Sequence, residues 1–279
     1  TLAVDILTYA RIPSPLKMQI VGVPASVSAP GVFGPASLQR ELLQTVLSEE
    51  RGLLLGLNLL ADPGLPGVAF GHTLPTVLME RSFASVTAYE QSLRAPYRRR
   101  LRKARRSFAR MEAQTTDCSA FTPQMYALYL DVFRRSDAKL EKLPYEFFRQ
   151  LPPPFALTVW RESGDLIAWH VHALDPLNGQ FIFFMGGIDH ARNRDTQAYF
   201  NLTFSVLEQA ILSGARGLDL GQTAEIPKLR LGGRLSPRYM FAWHANPLLR
   251  AGLQLAKPVL EYRRDVPEHH VFSDAQGRF

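Results

Sequence analysis

The amino-acid sequence predicts a protein of the α/β class, in its α+β form. The second half of the chain carries the signals. A strand meander with short turns is predicted at Phe155–Arg161, Leu166–Leu174 and Gln180–Gly186. A long helix follows from about Asp195 to Leu212, and Gly214 is positioned to end it. Short strands are predicted after that helix at Leu218–Leu220 and Tyr239–Trp243.

The N-terminal residues 1–85 predict an incomplete α/β lobe. Pro35 opens a helix with one apolar stripe, and strands are predicted at Leu53–Leu60 and Val77–Met79. A loop rich in proline and glycine separates these strands. We therefore divide the chain into this lobe, a main domain over residues 86–262, and a polar tail over residues 263–279 that we expect to be mobile.

The main domain begins with a strongly basic helix. Thr87 and Glu90 form a predicted capping box, and Pro96 opens the next helical stretch. In that stretch the apolar residues lie on one face. The rest of the helix surface is basic. The segment from Arg94 to Arg110 contains no acidic residue and nine basic ones: Arg94, Arg98, Arg99, Arg100, Arg102, Lys103, Arg105, Arg106 and Arg110. Thr122 and Pro123 then mark the start of a further helix.

The charge of the protein is concentrated in this helix. The chain has 32 basic and 25 acidic residues and a net charge of +7. Without the nine basic residues from Arg94 to Arg110, 23 basic residues face 25 acidic ones, a remainder of −2. We therefore expect a polyanionic ligand, such as coenzyme A, a nucleotide sugar, tRNA or an anionic membrane surface, or else a solvated helix face.

The composition excludes several classes of protein. The single cysteine, Cys118, excludes disulfide frameworks and cysteine-based zinc sites. Apolar runs such as Leu53–Leu60 are far shorter than the roughly 20 residues that span a bilayer. No Walker loop, dinucleotide fingerprint or Gly-x-Ser-x-Gly elbow is present. We expect a cytoplasmic protein, with peripheral attachment to the inner face of the membrane as a variant.

The last predicted helix, from Pro247 to about Tyr262, carries a run of apolar residues. These are Leu248, Leu249, Leu253, Leu255 and Val259. They fit either association with a membrane or packing against the protein, and we favour packing.

Three segments together resemble the GNAT superfamily of acyltransferases, and more closely its Fem-like branch. They are the basic helix at Tyr97–Arg106, the strand end Met185–Asp189, and Leu218–Gly221 with Lys228–Gly232 behind it. The resemblance covers residues 86–245. It implies a mixed, mainly antiparallel central sheet flanked by helices, with residues 1–85 as the remains of a first GNAT-like lobe. The reaction it implies is acyl transfer to an amine.

One position departs from ordinary GNAT enzymes. They hold the pyrophosphate of coenzyme A in a glycine-containing turn before the long helix, whereas His190–Ala198 contains no glycine. Fem-like enzymes, which use aminoacyl-tRNA, resemble this chain in that respect. A helix start still offers free amides and a favourable dipole to a phosphate. The residues of this segment that could bind the acyl donor are Arg192, Arg194, Thr196 and Tyr199.

The candidate catalytic residues follow from the same resemblance. His170 and His172 share one strand face and could take a proton, as could Asp189 at a strand end. Lys228 matches the lysine of the Fem-like closing motif, and could stabilise the oxyanion or hold a phosphate. Substrate-binding candidates are Arg98, Arg102, Asp219 and Arg230. For each residue the structural alternative is hydrogen bonding or packing within the fold.

We thus expect an N-acyltransferase in which the acceptor amine attacks an acyl-CoA or carrier thioester directly, without metal or redox cofactor. Acyl-CoA would be a co-substrate. One alternative is a Fem-like aminoacyltransferase that uses aminoacyl-tRNA and acts on a peptidoglycan precursor or peptide. The other is a non-catalytic GNAT-like protein that binds nucleic acid or an anionic membrane.

Overall fold

The computed structural model describes residues 18–22, 28–136 and 142–273. The strands are β1 Met18–Val21, β2 Leu53–Leu59, β3 Ala69–Met79, β4 Glu112–Asp117, β5 Ala156–Glu162, β6 Asp165–Leu174, β7 Gln180–Ile188, β8 Gly217–Gln222 and β9 Arg234–His244. The helices are α1 Ala36–Glu49, α2 Val86–Ser92, α3 Ala95–Ser107, α4 Pro123–Arg135, α5 Tyr145–Arg149, α6 His190–Thr196, α7 Ala198–Leu212, α8 Glu225–Leu229 and α9 Pro247–Leu260, with a 3-10 turn at Cys118–Ala120.

These elements belong to two compact units. The first contains the described residues up to Thr76 together with Ser236–Asp265. The second contains the described residues from Val77 to Leu235 and those from Val266 onward. The chain therefore leaves the first unit and later returns to it. The domain boundaries expected near residues 85 and 262 stay a prediction.

In the first unit the strands lie in the order β1-β2-β9-β3. β1 runs parallel to β2, and β2 runs antiparallel to β9. Its core forms where Leu43 of α1 meets Leu54, Phe241 and Trp243 of the sheet. Gly56 faces the Phe241 ring so closely that an added Cβ would lie 2.1 Å from a ring carbon. Glycine at this position thus allows the ring to cross the strand.

In the second unit the strands lie in the order β3-β8-β7-β6-β5-β4. Neighbouring strands from β4 to β7 are antiparallel, which is the predicted meander with one strand added at its edge. β7 and β8 are parallel. The predicted mixed, mainly antiparallel sheet flanked by helices is confirmed.

Two helices cover opposite faces of this sheet. α7 buries most of its length, with Leu202 and Val206 in a core shared with Ile167 and Phe183. On the other face, Trp169 of β6 donates from Nε1 to the Met125 carbonyl of α4 at 2.8 Å. Thr122 caps α4 as predicted, because its hydroxyl accepts from the Met125 amide. The meander is therefore held between two helices, and the start of α4 was readable from sequence.

Two predicted element boundaries differ from the structure. The cap of α2 is Ser85, whose hydroxyl accepts from the Ala88 amide at 3.0 Å, and not Thr87. The long helix predicted from Asp195 is split, because Gln197 has φ 51° and separates α6 from α7. A left-handed residue ends the first helix and lets the second begin at a new angle.

The polar tail also differs from the prediction up to residue 273, the last one described. Val271 is buried in the core of the second unit, and Phe272 contacts the rings of Phe83 and Tyr89. The Arg94 amide donates to the Val271 carbonyl at 2.9 Å. This stretch is therefore an integral part of the second unit.

Candidate functional site

The site is built around a fork between β7 and β8. The two strands pair over three residue pairs, from Gln180–Gly217 to Ile182–Asp219. β7 then continues to Ile188 and β8 to Gln222, beyond the last of these pairs. Where the ladder between two parallel strands ends before the strands do, the backbone amides and carbonyls beyond it are not paired across the two strands. A linear ligand could pair with these groups as an added strand does.

A β-bulge lies in β7 next to the fork. Met185 pairs with Val171, whereas Phe183 pairs with His172, so Phe184 is an extra residue in β7. A bulge locally breaks the ladder and re-aims backbone groups, and such bulges are frequent beside active sites. Backbone donors held rigidly at a gap are suited to stabilise the negative charge that develops on a carbonyl oxygen under attack.

The loop after β8 is held by Lys228. Its ammonium donates to the carbonyls of Gly221 at 3.1 Å, Gln222 at 2.8 Å and Thr223 at 2.8 Å. Lys228 is buried, and three hydrogen bonds use all the donors that an ammonium has. The oxyanion and phosphate roles predicted for Lys228 stay predictions. Its geometry favours a positioning role instead, since a substrate would have to replace one of these carbonyls.

Buried carboxylates accompany Lys228. Burial lowers the pKa of Lys228 to about 7, while the charges of Asp219 and Glu225 oppose that change. Asp219 also accepts from the Gly221 amide at 2.8 Å, which helps Gly221 adopt φ 75°. Asp219 is thus bonded within the fold, and substrate binding by it stays a prediction. Glu225 was not predicted, although it lies in the stretch that singled out Lys228.

His170 and His172 lie on one face of β6, as predicted, and their rings are 5.0 Å apart. Both are buried between the sheet and α7, against Trp160, Phe181 and Phe183. Burial lowers the pKa of His172 to about 4 and that of His170 well below its usual value. Proton transfer by them stays a prediction, and their burial and low basicity disfavour it.

Asp189 caps α6. Its carboxylate accepts from the Ala191 amide at 2.9 Å, which is the turn-stabilising alternative considered for this residue. The carboxylate therefore occupies the start of α6, nine residues before the long helix α7 begins at Ala198. A negative charge there disfavours a phosphate at the same place.

Of the residues on α6 and α7 that were predicted to bind the acyl donor, Arg192 and Thr196 form ion pairs or hydrogen bonds inside the second unit. Arg192 forms ion pairs with Glu162 and Asp165, both at 3.6 Å. The Thr196 hydroxyl donates to the Arg192 carbonyl at 2.8 Å. Arg194 is exposed in the last turn of α6. Burial raises the pKa of Tyr199, and the charge of Glu225 adds to this, so the phenol stays protonated.

A histidine–carboxylate pair that the sequence did not indicate lies at the end of β7. His190 Nδ1 is 3.0 Å from an Asp131 carboxylate oxygen, and Arg135 holds the same carboxylate at 2.9 Å. The hydrogen bond from Arg135 lowers the pKa of Asp131. The two residues are far apart in sequence, so only the packing of α4 against β7 brings them together.

α3 docks through its apolar face and exposes most of its charge. Leu101 and Ala104 are buried, and Arg98 donates to the Leu93 carbonyl at 2.9 Å. Arg105 pairs with Glu90 at 2.6 Å. Five exposed basic residues of the helix have no acidic partner among the described residues: Arg99, Arg100, Arg102, Lys103 and Arg106. Arg230, the last predicted binding residue, follows α8 and is partly buried.

The described residues contain no group of three histidine, cysteine, aspartate or glutamate side chains arranged to hold a metal. Among the same residues no helix is both long enough and apolar enough to cross a membrane.

Comparison with known proteins agrees with this geometry. The family model described as an acetyltransferase (GNAT) domain matches residues 92–228, which include the fork and both strands beside it. This part of the chain is similar to GNAT domains, and its sheet is consistent with that fold. The Fem-like resemblance is also supported, as FemX is among the similar structures, with a TM-score of 0.56 and 11% identity over 87% of this chain and 85% of FemX.

Two further GNAT-domain neighbours are lysylphosphatidylglycerol synthetases. The C-terminal domain of a protein named as such from Agrobacterium fabrum has a TM-score of 0.54 at 12% identity, covering 81% of this chain and 77% of that one. L-PGS from Bacillus licheniformis has a TM-score of 0.52 at 11% identity, covering 80% and 78%. At these identities the likeness establishes the fold. No curated protein sequence matches the chain significantly.

Proposed function

We propose that this chain transfers an activated acyl group to an acceptor amine at the fork between β7 and β8. The observation that carries the proposal is the separation of these strands beside the bulge at Phe184. The acceptor nitrogen attacks the acyl carbon, a carbon–nitrogen bond forms, and the bond to the carrier breaks. Backbone amides near the bulge stabilise the oxyanion, which is the term that contributes most in acyl transfer.

Side chains near the fork have supporting roles in this proposal. Lys228 keeps the loop Gly221–Thr223 in place and acts as a positioning residue. Burial raises the pKa of Tyr199 and makes its phenol a weak acid, so we assign it a packing role and no proton transfer. β7 ends at Ile188, four residues or roughly 13 Å beyond Phe184, and His190 follows as the first residue of α6. We therefore place the carrier of the acyl group beside His190 and Asp131, away from the reacting carbon.

A second, more specific candidate is an aminoacyltransferase that takes its acyl group from aminoacyl-tRNA. Two observations favour it over an acyl-CoA donor. The segment His190–Ala198 before the long helix lacks the glycine turn that holds a pyrophosphate in ordinary GNAT enzymes, and α3 exposes a row of cations suited to an RNA backbone. The similar structures named FemX and lysylphosphatidylglycerol synthetase are consistent with it. The acceptor would then be the amine of a peptide or peptidoglycan precursor.

The test combines binding with transfer. Melting of the purified protein is followed with acetyl-CoA, a long-chain acyl-CoA and tRNA, each at low and high salt. A ligand that binds the folded state alone raises the melting temperature. Labelled donors are then offered with a panel of amines. Stabilisation that survives salt, with transfer from one acyl-CoA, supports the thioester donor.

Stabilisation by tRNA that is lost at high salt, with transfer from aminoacyl-tRNA, supports the second candidate. Binding of either donor without transfer to any amine supports the non-catalytic alternative. Failure of both donor classes to bind and to react would overturn the proposal.

A further inference from the structure

The helix α9 exposes three large apolar side chains, while Leu253, Ala256 and Leu260 on its other side are half-buried. Leu248, Leu255 and Val259 are 82%, 84% and 67% exposed. With Gly252 they follow the spacing i, i+4, i+7 and i+11, which places them on one face of a helix. Leu249 beside them is 47% exposed. No residue of α9 is fully buried, and of the five apolar residues noted in the sequence only Leu253 is half-buried, so the packing that we favoured stays a prediction.

Polar side chains attach the opposite face of α9 to the first unit. The Arg250 guanidinium lies over the Trp243 ring at 5.6 Å. The Gln254 amide donates to the Val68 carbonyl at 2.5 Å. Beyond the helix end, the Glu261 carboxylate accepts from the His72 amide at 3.1 Å. The orientation of α9 is therefore fixed by specific contacts, and the exposed apolar face is a built feature of this unit.

The charge near the exposed apolar face of α9 indicates which kind of partner binds there. Residues 247–264 contain four basic side chains, Arg250, Lys257, Arg263 and Arg264, and one acidic side chain, Glu261, a net charge of +3. A symmetric contact between two copies would bring two such segments together, and like charges oppose that. An apolar helix face next to positive charge instead fits the boundary between headgroups and acyl chains of an anionic bilayer.

We propose that α9 binds flat on an anionic membrane surface, with Leu248, Leu255 and Val259 inserted below the headgroups. The basic side chains of the same segment remain at headgroup level, where long side chains can keep their charges in water. This surface is separate from the fork, and the proposal holds whether or not the GNAT-like domain is catalytic.

The test is sedimentation of the whole protein with vesicles of phosphatidylcholine alone or mixed with phosphatidylglycerol. We expect binding to the mixed vesicles and much weaker binding to the neutral ones. The variant Leu248→Gln, Leu255→Gln, Val259→Gln should lower the partition coefficient at least about tenfold, since each leucine that leaves water contributes a substantial apolar area. Thermal melting checks that the variant is folded.

A matched control distinguishes an effect of the apolar face of α9 from the effect of removing any exposed leucine. Leu177 and Leu212 are 94% and 75% exposed in the second unit, and Leu177→Gln, Leu212→Gln should leave vesicle binding unchanged. Charge reversal in α3, Arg99→Glu and Arg102→Glu, tests whether that helix alone explains binding to anionic vesicles. The proposal is overturned if the α9 variant binds as wild type does, or if wild type binds neither kind of vesicle. It is equally overturned if wild type self-associates and the α9 variant does not.

Discussion

At the residue scale, the burial of Lys228 changes the role that its sequence motif suggests. The sequence indicates a lysine in a polar loop that could stabilise the oxyanion or hold a phosphate. The structure has the ammonium bonded to three carbonyls beside two buried carboxylates. A substitution therefore affects the loop itself, and stability and turnover have to be measured together.

We expect Lys228→Met to destabilise the protein by about 3 kcal/mol, because it leaves Asp219 and Glu225 buried without their nearby cation. Turnover should fall at least tenfold as the loop at the fork loosens. Urea unfolding measures the first effect and single-turnover transfer the second. Wild-type stability with lost turnover would instead return Lys228 to direct contact with the reacting atoms.

The buried histidines predict a loss of stability in acid. In the folded state the pKa values of His170 and His172 lie below the ordinary value near 6.5, and that of His172 is about 4. As pH falls below 6.5 the unfolded chain binds protons that the folded protein does not, so the free energy of unfolding decreases. The expected slope is about 1.4 kcal/mol per pH unit for each histidine.

Urea unfolding between pH 7 and pH 4 measures this slope. His172→Gln should remove one histidine's share of it, whereas His270→Gln, which alters an exposed histidine, should not. Equal slopes in wild type and His172→Gln would show that His172 takes up its proton normally in the folded protein.

At the scale of elements, α6 tests whether Asp189 caps or catalyses. Asparagine caps a helix as well as aspartate does, but it carries no charge and cannot act as a base. We expect Asp189→Asn to keep stability and turnover, and Asp189→Ala to lose about 1 kcal/mol of stability. Thermal melting and transfer assays on the pair distinguish the roles. Lost turnover in a stable Asp189→Asn protein would make the carboxylate the proton acceptor.

The elements also show what the sequence could and could not indicate. The meander, the basic helix and the cap at Thr122 were predictable, because short turns, one-sided apolar spacing and a Thr-Pro pair are local signals. The bulge was not, since Phe181–Met185 is continuously apolar and hides the period of two that an extra residue interrupts. α8 was missed because a helix from Glu225 to Leu229 is too short to show a period.

The candidate site was predictable in part for the same reason. The motif at residues 218–232 correctly led to β8 and Lys228, while the pair of His190 and Asp131 arises only when α4 packs on β7. Burial of His170 and His172 depends on which face α7 covers, and alternation along one strand cannot specify that.

At the scale of the whole molecule, the uneven charge should dominate binding to polyanions. Arg99→Glu, Arg102→Glu and Arg106→Glu change the net charge from +7 to +1. If the three arginines contact RNA phosphates, the slope of log affinity against log salt should become shallower by about 2 to 3. Filter binding of tRNA at several salt concentrations measures this slope.

The control is Arg51→Glu, Arg149→Glu and Arg264→Glu, which has the same net charge but leaves α3 intact. We expect its slope to match wild type. If both triple variants weaken binding equally, net charge alone governs the interaction and α3 is a solvated face.

The extra residue in β7 also has a consequence for how this chain tolerates changes in length. After the bulge the strand's two sides are exchanged: Gly186 faces Leu202 of α7, and Gly187 faces Trp169 and Leu128 on the α4 side. An added Cβ on Gly187 would lie 2.4 Å from Trp169 Nε1, so there is no room for a side chain there. Deleting Phe184 would remove the extra residue and leave Met185 opposite Val171 and Gly186 opposite His170, so every later residue of the strand would keep its present side. Deleting Gly186 instead would turn Gly187 toward α7 and Ile188 toward α4. We therefore expect β7 to tolerate the loss of Phe184 better than the loss of Gly186, which thermal melting of the two deletion variants would measure.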